Sequence, residues 1–393
     1  MKYNQKKKKE NIEIFLFIMV MAVFAAVLGV MSLGEKMQPV NQIRKISSGW
    51  YYYDNGKRTE VTLPDTIQAE EGEELILYND GITDLDAGKV VTTRGAQYDL
   101  KIWLGDRPIY EYQDTTFVRN TQMKSKLECA GEIPTDIQNE PLKLIYSNPH
   151  HGKYVLASVY IGTGSAVIAL HLQNSGIVIG IALCFLVLSI ISLLITVYLK
   201  YRQMPDTRFR DVALFLMICA VWLITDSSAI QTYSSHPDML CTISFYMFML
   251  FSVPMLHFAR KIGGLKKERI LDAGIAVFYL NAFIQGLLAY FGVFTFADML
   301  FVTHVLLITW VLIVAVLLWK EYRKKPDRSV QIILIAYMIL LFSGLLSLSL
   351  YWLFEISYYG AIFEFGILVF LVMIIADTVI SPVSYTHLTL PTT

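Results

Sequence analysis

Seven long apolar stretches lie between Ile177 and Val379, and the short loops that join them carry positive charge on one side only. They cover residues 177–199, 212–230, 240–258, 270–290, 299–318, 329–354 and 359–379. Each is about 19 to 26 residues, which at 1.5 Å per residue spans a hydrocarbon core of roughly 30 Å. A chain patterned this way is expected to fold in a bilayer, and its function has to be read as that of a membrane protein. The composition agrees: 55% of residues are hydrophobic and only 17% charged.

Charge sets the expected orientation. The loop after the first stretch carries Lys200, Arg202, Arg208 and Arg210. The loop after the third carries Arg260, Lys261, Lys266, Lys267 and Arg269, and the loop after the fifth carries Lys320, Arg323, Lys324, Lys325 and Arg328. Loops 231–239, 291–298 and 355–358 contain no Lys or Arg. Basic residues in short loops stay cytoplasmic, so the first stretch starts outside and the last ends inside. A further apolar stretch near residues 14–33 follows Lys2 and the run Lys6 to Lys9. At about 20 residues it exceeds the usual apolar region of a cleaved signal peptide, so residues 1–33 read first as a basic cytoplasmic tail and an uncleaved anchor, with a signal peptide as the alternative; either way residue 34 onward is outside. With the anchor retained, both termini are cytoplasmic.

Residues 34–174 are expected to form one external domain, and strand signals dominate it. Runs 74–79, 98–104, 108–112, 142–146, 154–160 and 166–172 alternate or run apolar and are rich in Val, Ile, Tyr and Trp. Turn residues separate them, and Leu104-Gly105-Asp106-Arg107 reads as a hairpin. The fold class is therefore a mixed membrane protein: an anchor helix, an all-β sandwich or jelly roll, and a seven-helix bundle over residues 175–380. Cys129 is the one cysteine in the external domain, so no disulfide within it is expected.

Aromatic residues are the candidate ligand platform of such a sandwich, because ring faces stack on sugars and other small ligands. The candidates are Trp50, Tyr51, Tyr52, Tyr53, Trp103, Tyr110 and Tyr112, with Trp50, Tyr52, Trp103, Tyr110 and Tyr112 put forward for the ligand; a tryptophan in a period-two strand such as Trp103 is more often core. In the run from Trp50 to Tyr53, alternation buries two rings and exposes two. Asp84, Asp86 and Arg94 match no calcium loop.

Ionisable and amide groups inside spans are costly and mark functional candidates. Asp226, Asn281, Gln285, His304 and Glu364 qualify, and on the expected topology the charged ones and Gln285 share the outer leaflet. Asp226, Gln285, His304 and Glu364 are the candidate relay. Pro254, inside the third stretch, is expected to kink it. No phosphate loop, zinc-protease helix, nucleophile elbow, Cys/His metal pair or dinucleotide fingerprint is present. No catalytic residue, metal or cofactor is assigned, and no basic surface points to nucleic acid.

The anchor, the β-rich external domain, the seven stretches, and the segments Gly49-Trp50-Tyr51-Tyr52, Leu63-Pro64-Asp65 and 98–112 (YDLKIWLGDRPIYEY) together resemble the bacterial seven-transmembrane receptors with diverse intracellular signalling modules. The resemblance covers residues 49–379. It implies an external jelly roll that binds a small ligand, a carbohydrate among the candidates. It also implies a cytoplasmic effector that works as a homodimer: a GGDEF-type diguanylate cyclase first, a histidine kinase or phosphatase otherwise. None of those motifs is in the chain. Residues 383–393 (VSYTHLTLPTT) read as the translation of a transposase-based sequencing adapter, so the natural sequence is expected to leave this one near Ser381 and continue. The expected function is a receptor relaying an external small ligand through seven helices to that effector. A transporter or export accessory protein with an external substrate-binding domain is the alternative.

Overall fold

A computed structural model describes residues 42–70, 72–95, 99–111, 127–136, 140–147, 152–201, 208–262, 265, 268–354 and 359–388. The anchor stretch and the last five residues of the adapter-like tail lie outside them. The described chain begins with twelve strands. β1 (Ile43–Ile46), β12 (Val159–Gly162), β6 (Val90–Gly95) and β9 (Leu127–Glu132) form one sheet, in the order β1-β12-β6-β9. β3 (Lys57–Val61), β2 (Trp50–Asp54), β5 (Leu75–Asn79), β10 (Leu142–Ser147), β7 (Asp99–Leu104) and β8 (Arg107–Glu111) form a second, in that order. β4 (Asp65–Gln68) and β11 (Lys153–Leu156) make a small third ribbon. Every pairing is antiparallel.

The two large sheets share one apolar core, which makes this part sandwich-like. Trp50, Leu77, Ile102 and Leu144 enter it from the six-stranded sheet, and Val91, Cys129, Val159 and Ile161 from the four-stranded sheet. Period-two strands put alternate residues on the two faces. In β10, Leu142, Leu144 and Tyr146 are buried while Lys143, Ile145 and Ser147 are half-buried. The β2–β3 hairpin turns through Asn55 (φ 50°) and Gly56 (φ 78°), two left-handed residues in a row as a type I′ turn demands. β7 and β8 form the expected hairpin through Gly105.

Residues 166–172 are a correction. They are helix rather than strand: α1 (Gly164–Tyr201) starts directly after β12. A short apolar run does not separate strand from helix by periodicity. Here the helical phase continues unbroken into the membrane stretch. At 1.5 Å rise, its 38 residues extend about 57 Å, well beyond a bilayer core. The first turns of α1 therefore belong to the β domain as much as to the helical block.

The block continues with α2 (Arg208–Asp226), α3 (Ser228–Thr232), α4 (Pro237–Leu250), α5 (Ser252–Ala259), α6 (Arg269–Tyr290), α7 (Leu300–Lys324), α8 (Arg328–Phe354) and α9 (Tyr359–Leu388). Among the described residues, five segments are long and apolar enough to cross a membrane: α1, the α4–α5 pair taken together, α6, α7 and the first 23 residues of α8. This marks a membrane protein, with five candidate spans where seven are expected. α2 falls out because Arg208, Arg210, Asp211 and Asp226 share its 19 residues. In α9 the continuous apolar part among the described residues is Ile362–Ile375.

α2 is nonetheless central. Its Val212, Phe215, Leu216, Cys219 and Leu223 are buried, and it packs on α1, α4, α5 and α9. Its charges find partners inside the protein. Lys261 pairs with the buried Asp211, and Ser244 donates to Asp226 at 3.1 Å. The break between α4 and α5 falls at Phe251, three residues before Pro254, whose missing N–H leaves the Leu250 carbonyl without its helical donor.

Candidate functional site

The four-stranded sheet ends in β9, an edge strand with free backbone groups that have to be covered or solvated. α3 covers it. This single helical turn lies between α2 and α4, and the backbone N–H of Glu128 donates to Thr232 Oγ1 at 2.8 Å. Ser228 Oγ donates to Glu128 Oε1 at 3.2 Å. Glu128 is buried, and so are Ser228 and Ser175 of α1, whose hydroxyls stand 3.4 Å apart. Ser175 Oγ also accepts from the Ala229 N–H at 3.4 Å.

One turn before Ser175, His171 joins the same seam. Its Nε2 lies 3.0 Å from Thr92 Oγ1 on β6, and its Nδ1 lies 3.1 Å from the Tyr233 hydroxyl. Thr92 gives its one hydroxyl proton to the Cys129 carbonyl at 3.0 Å. It can then only accept from His171, so Nε2 carries the ring proton and Nδ1 accepts from Tyr233. His171 and Thr92 are both about 1% exposed. Burial, with the nearby Glu128, raises the Tyr233 phenol above its ordinary value, which keeps its proton available for that bond. Burial alone is the main cause that pushes the neighbouring Cys129 thiol up to about 12. The seam is thus a buried polar network between a β domain and a helical block. A network of this kind specifies one docking geometry because each group is costly to leave unpaired.

Three of the predicted intramembrane residues, Asp226, His304 and Glu364, stand close to this seam or to an aromatic cluster near it. Asp226 ends α2, two residues before Ser228, and bonds Ser244 of α4. One turn further along α4, Phe248 packs edge-on against His304 of α7 (5.5 Å) and tilts against Trp222 (5.3 Å). Phe363, adjacent to Glu364, packs on Trp222 and Phe251. Gln285 takes a different partner set. Its amide donates to Asn281 Oδ1 and to Thr303 Oγ1, each at 2.9 Å, which ties α6 to α7.

The aromatic candidates divide by face. Trp50 is wholly buried, and its indole N–H donates to the Ile46 carbonyl at 3.1 Å, so it is core and offers no ring face to a ligand. Tyr52 and Tyr110 also pack against the core. Trp103 is the reverse case: alternation puts it on the outer face of the six-stranded sheet, half-buried and in register with Lys143. Tyr112 lies outside the described residues.

The outer face also holds Tyr51, Tyr53 and Tyr78, of which only Tyr78 is outside the candidate set. Tyr51 stacks on Tyr78 at 5.5 Å and lies beneath the Arg58 guanidinium at 3.6 Å, with Tyr53 more than half exposed beside both. Across the sheet the register runs Tyr51, Tyr78, Lys143, Trp103. The alternation expected of β2, two rings buried and two exposed, is not what is seen: Trp50 and Tyr51 are both buried, Tyr52 is half-buried and Tyr53 alone is exposed, because Tyr78 and Arg58 cover Tyr51. Among the described residues no group of metal-ligating side chains is present. The chain matches no protein-family model and no curated relative.

Proposed function

We propose that the chain is the sensing and transmitting part of a bacterial membrane receptor. The β domain would stand outside the membrane and take a small ligand, a carbohydrate for preference, on the aromatic outer face of its six-stranded sheet. Seven helices would cross the bilayer, α2 and α9 being the two beyond the five evident spans, with the basic loops in the cytoplasm. α9 would hand the change to a cytoplasmic effector, a diguanylate cyclase of GGDEF type by the architectural resemblance, acting in a homodimer.

The observation that carries this reading is the buried seam through Glu128, Ser228, Thr92 and His171. A transport accessory domain on a loose tether has no need of such a network, whereas a relay does. A ligand shifts the helices only through different affinity for two arrangements, and a rigid seam is what couples those arrangements. The test is a thermal-shift screen of the intact protein with a mono- and oligosaccharide panel, followed by hydrogen exchange with any hit. Altered exchange in the α3 segment on binding is the expected result. A sugar that stabilises the β domain and leaves α1 and α3 unchanged would refute the relay and favour the accessory reading.

A further inference from the structure

α7, α8 and α9 enclose an apolar groove of about 920 Å³ on the surface of the helical block. This is near the upper end of ordinary ligand pockets, which run from about 300 to 1,000 Å³. α7 lines it with Leu312, Val316 and Trp319, and α8 with Ile335, Met338 and Phe342. Its floor is the close approach of Ser343 to Gly366, where a side chain larger than glycine would collide with the serine hydroxyl.

Both walls end in polar and positive groups at the same end. On α7 the spacing 312, 316, 319 continues at Arg323, with Lys320 one turn below Val316. On α8 the spacing 342, 338, 335 runs back to Gln331 and Arg328. Lys320, Arg323, Gln331 and Arg328 are all exposed. The α7–α8 turn also carries Lys324 and Lys325. The acidic groups nearby are Glu321, Asp327 and Asp377; Asp327 is engaged in capping α8 through the Ser329 N–H at 2.8 Å, and the buried Asp377 of α9 accepts from Ser329 Oγ at 2.7 Å. The exposed Trp319 sits where apolar lining gives way to charge, the usual level of a membrane interface.

We infer that this groove binds an anionic phospholipid, its acyl chains along the α7 and α8 walls and its phosphate at Lys320, Arg323 and Arg328. Charge complementarity and the apolar walls select this occupant over a neutral lipid or a free anion. The inference rests on the membrane reading of the helical block.

The test uses the full chain reconstituted in phosphatidylcholine nanodiscs with and without phosphatidylglycerol, with retained lipid counted by native mass spectrometry. Preferential retention of phosphatidylglycerol is expected. The Lys320→Gln/Arg323→Gln double variant is expected to hold it roughly 30-fold more weakly, from the attraction each cation adds near an anionic surface. Val316→Trp, which fills the groove without touching the charges, should also lose the lipid. Glycerol phosphate alone should neither be retained nor raise the melting temperature. Equal retention of both lipids, no loss in either variant, full replacement by glycerol phosphate, or a dimer that buries the groove and excludes lipid would overturn the inference. Reconstitution is read separately, by flotation with the bilayer, and failure there would overturn the membrane reading together with the lipid site.

Discussion

Ser228→Ala isolates the seam. The wild-type hydroxyl is buried, donates to Glu128 Oε1 at 3.2 Å, and belongs to the one-turn helix that also accepts the Glu128 N–H. Removing it leaves a buried carboxyl oxygen without that donor, while the backbone of α3 keeps its course. Hydrogen bonds to a carboxylate contribute about 1.5–3 kcal/mol, and a buried group left short costs a similar amount. Opening the β9 edge becomes easier by the same margin, and each 1.4 kcal/mol is tenfold in an equilibrium. The Glu128 amide reports this opening directly, because its partner is Thr232 of the helical block. Hydrogen exchange of peptide 127–132 in nanodisc-held protein should therefore speed up roughly 10- to 150-fold by the same energies. Amides of β10, in the middle of the other sheet, should be unaffected. Unchanged exchange at Glu128 would refute the seam as an energetic link. Equal acceleration of β10 would show that the substitution loosens the whole domain instead.

Trp50→Ala should cost the β domain about 3–5 kcal/mol, since a fully buried ring and its bond to Ile46 are lost, whereas the exposed Tyr53→Ala should cost below about 1 kcal/mol. Thermal unfolding followed by near-ultraviolet dichroism separates the two, and equal losses would contradict the assigned faces. Alkali should weaken the same domain. Burial and the nearby Glu73 raise the Tyr154 phenol from 10.0 to about 12, so its contribution is complete below pH 10 and fades as the pH rises towards 12. Tyr154→Phe should flatten that fall in a denaturant titration across the window, and an identical fall in the variant would remove Tyr154 as the cause. Ser228→Ala and Ser244→Ala should also couple, with a double-variant stability departing from additivity by more than about 0.5 kcal/mol. Strict additivity would mean that the seam and Asp226 act independently.

Much of the β domain was legible because period two writes a sheet's faces directly into the chain. Leu142, Leu144 and Tyr146 alternate with polar or half-buried neighbours, and so do Leu100, Ile102 and Leu104. What alternation leaves open is which face meets the other sheet. That is why Trp50 and Trp103, both candidates for the platform, part company: Trp50 lies in the core and Trp103 on the outer face. The seam was hidden for a different reason. Residues 173–176 (QNSG) look like a linker before a membrane span, yet they are helix interior, and Ser175 is polar because it meets Ser228 and Ala229. β9 reads LECAGE: its carboxylate is there because Glu128 meets α3, and its glycine because a Cβ at Gly131 would stand 2.7 Å from the Ile109 carbonyl of β8. α2 misled in the opposite direction: its terminal charges, which exclude it from the evident spans, are satisfied by neighbours that sequence alone does not place beside it.

These placements define where a change in the β domain can travel. Asp226 and Ser228 are separated by Ser227 alone, whose extended backbone breaks the helix between α2 and α3. A displacement of β9 must move α3 or break its bonds to Glu128. Movement of α3 in turn shifts the end of α2 against α4, through Asp226 and Ser244. α4 carries Phe248 one turn on, in contact with both Trp222 and His304. The chain of contacts therefore runs from an edge strand to the centre of the helical block through packed or hydrogen-bonded neighbours at every step. Ser227 is the short non-helical joint shared by the seam and the half-buried Asp226 carboxylate, so a coupled movement of the two sides would have to turn there.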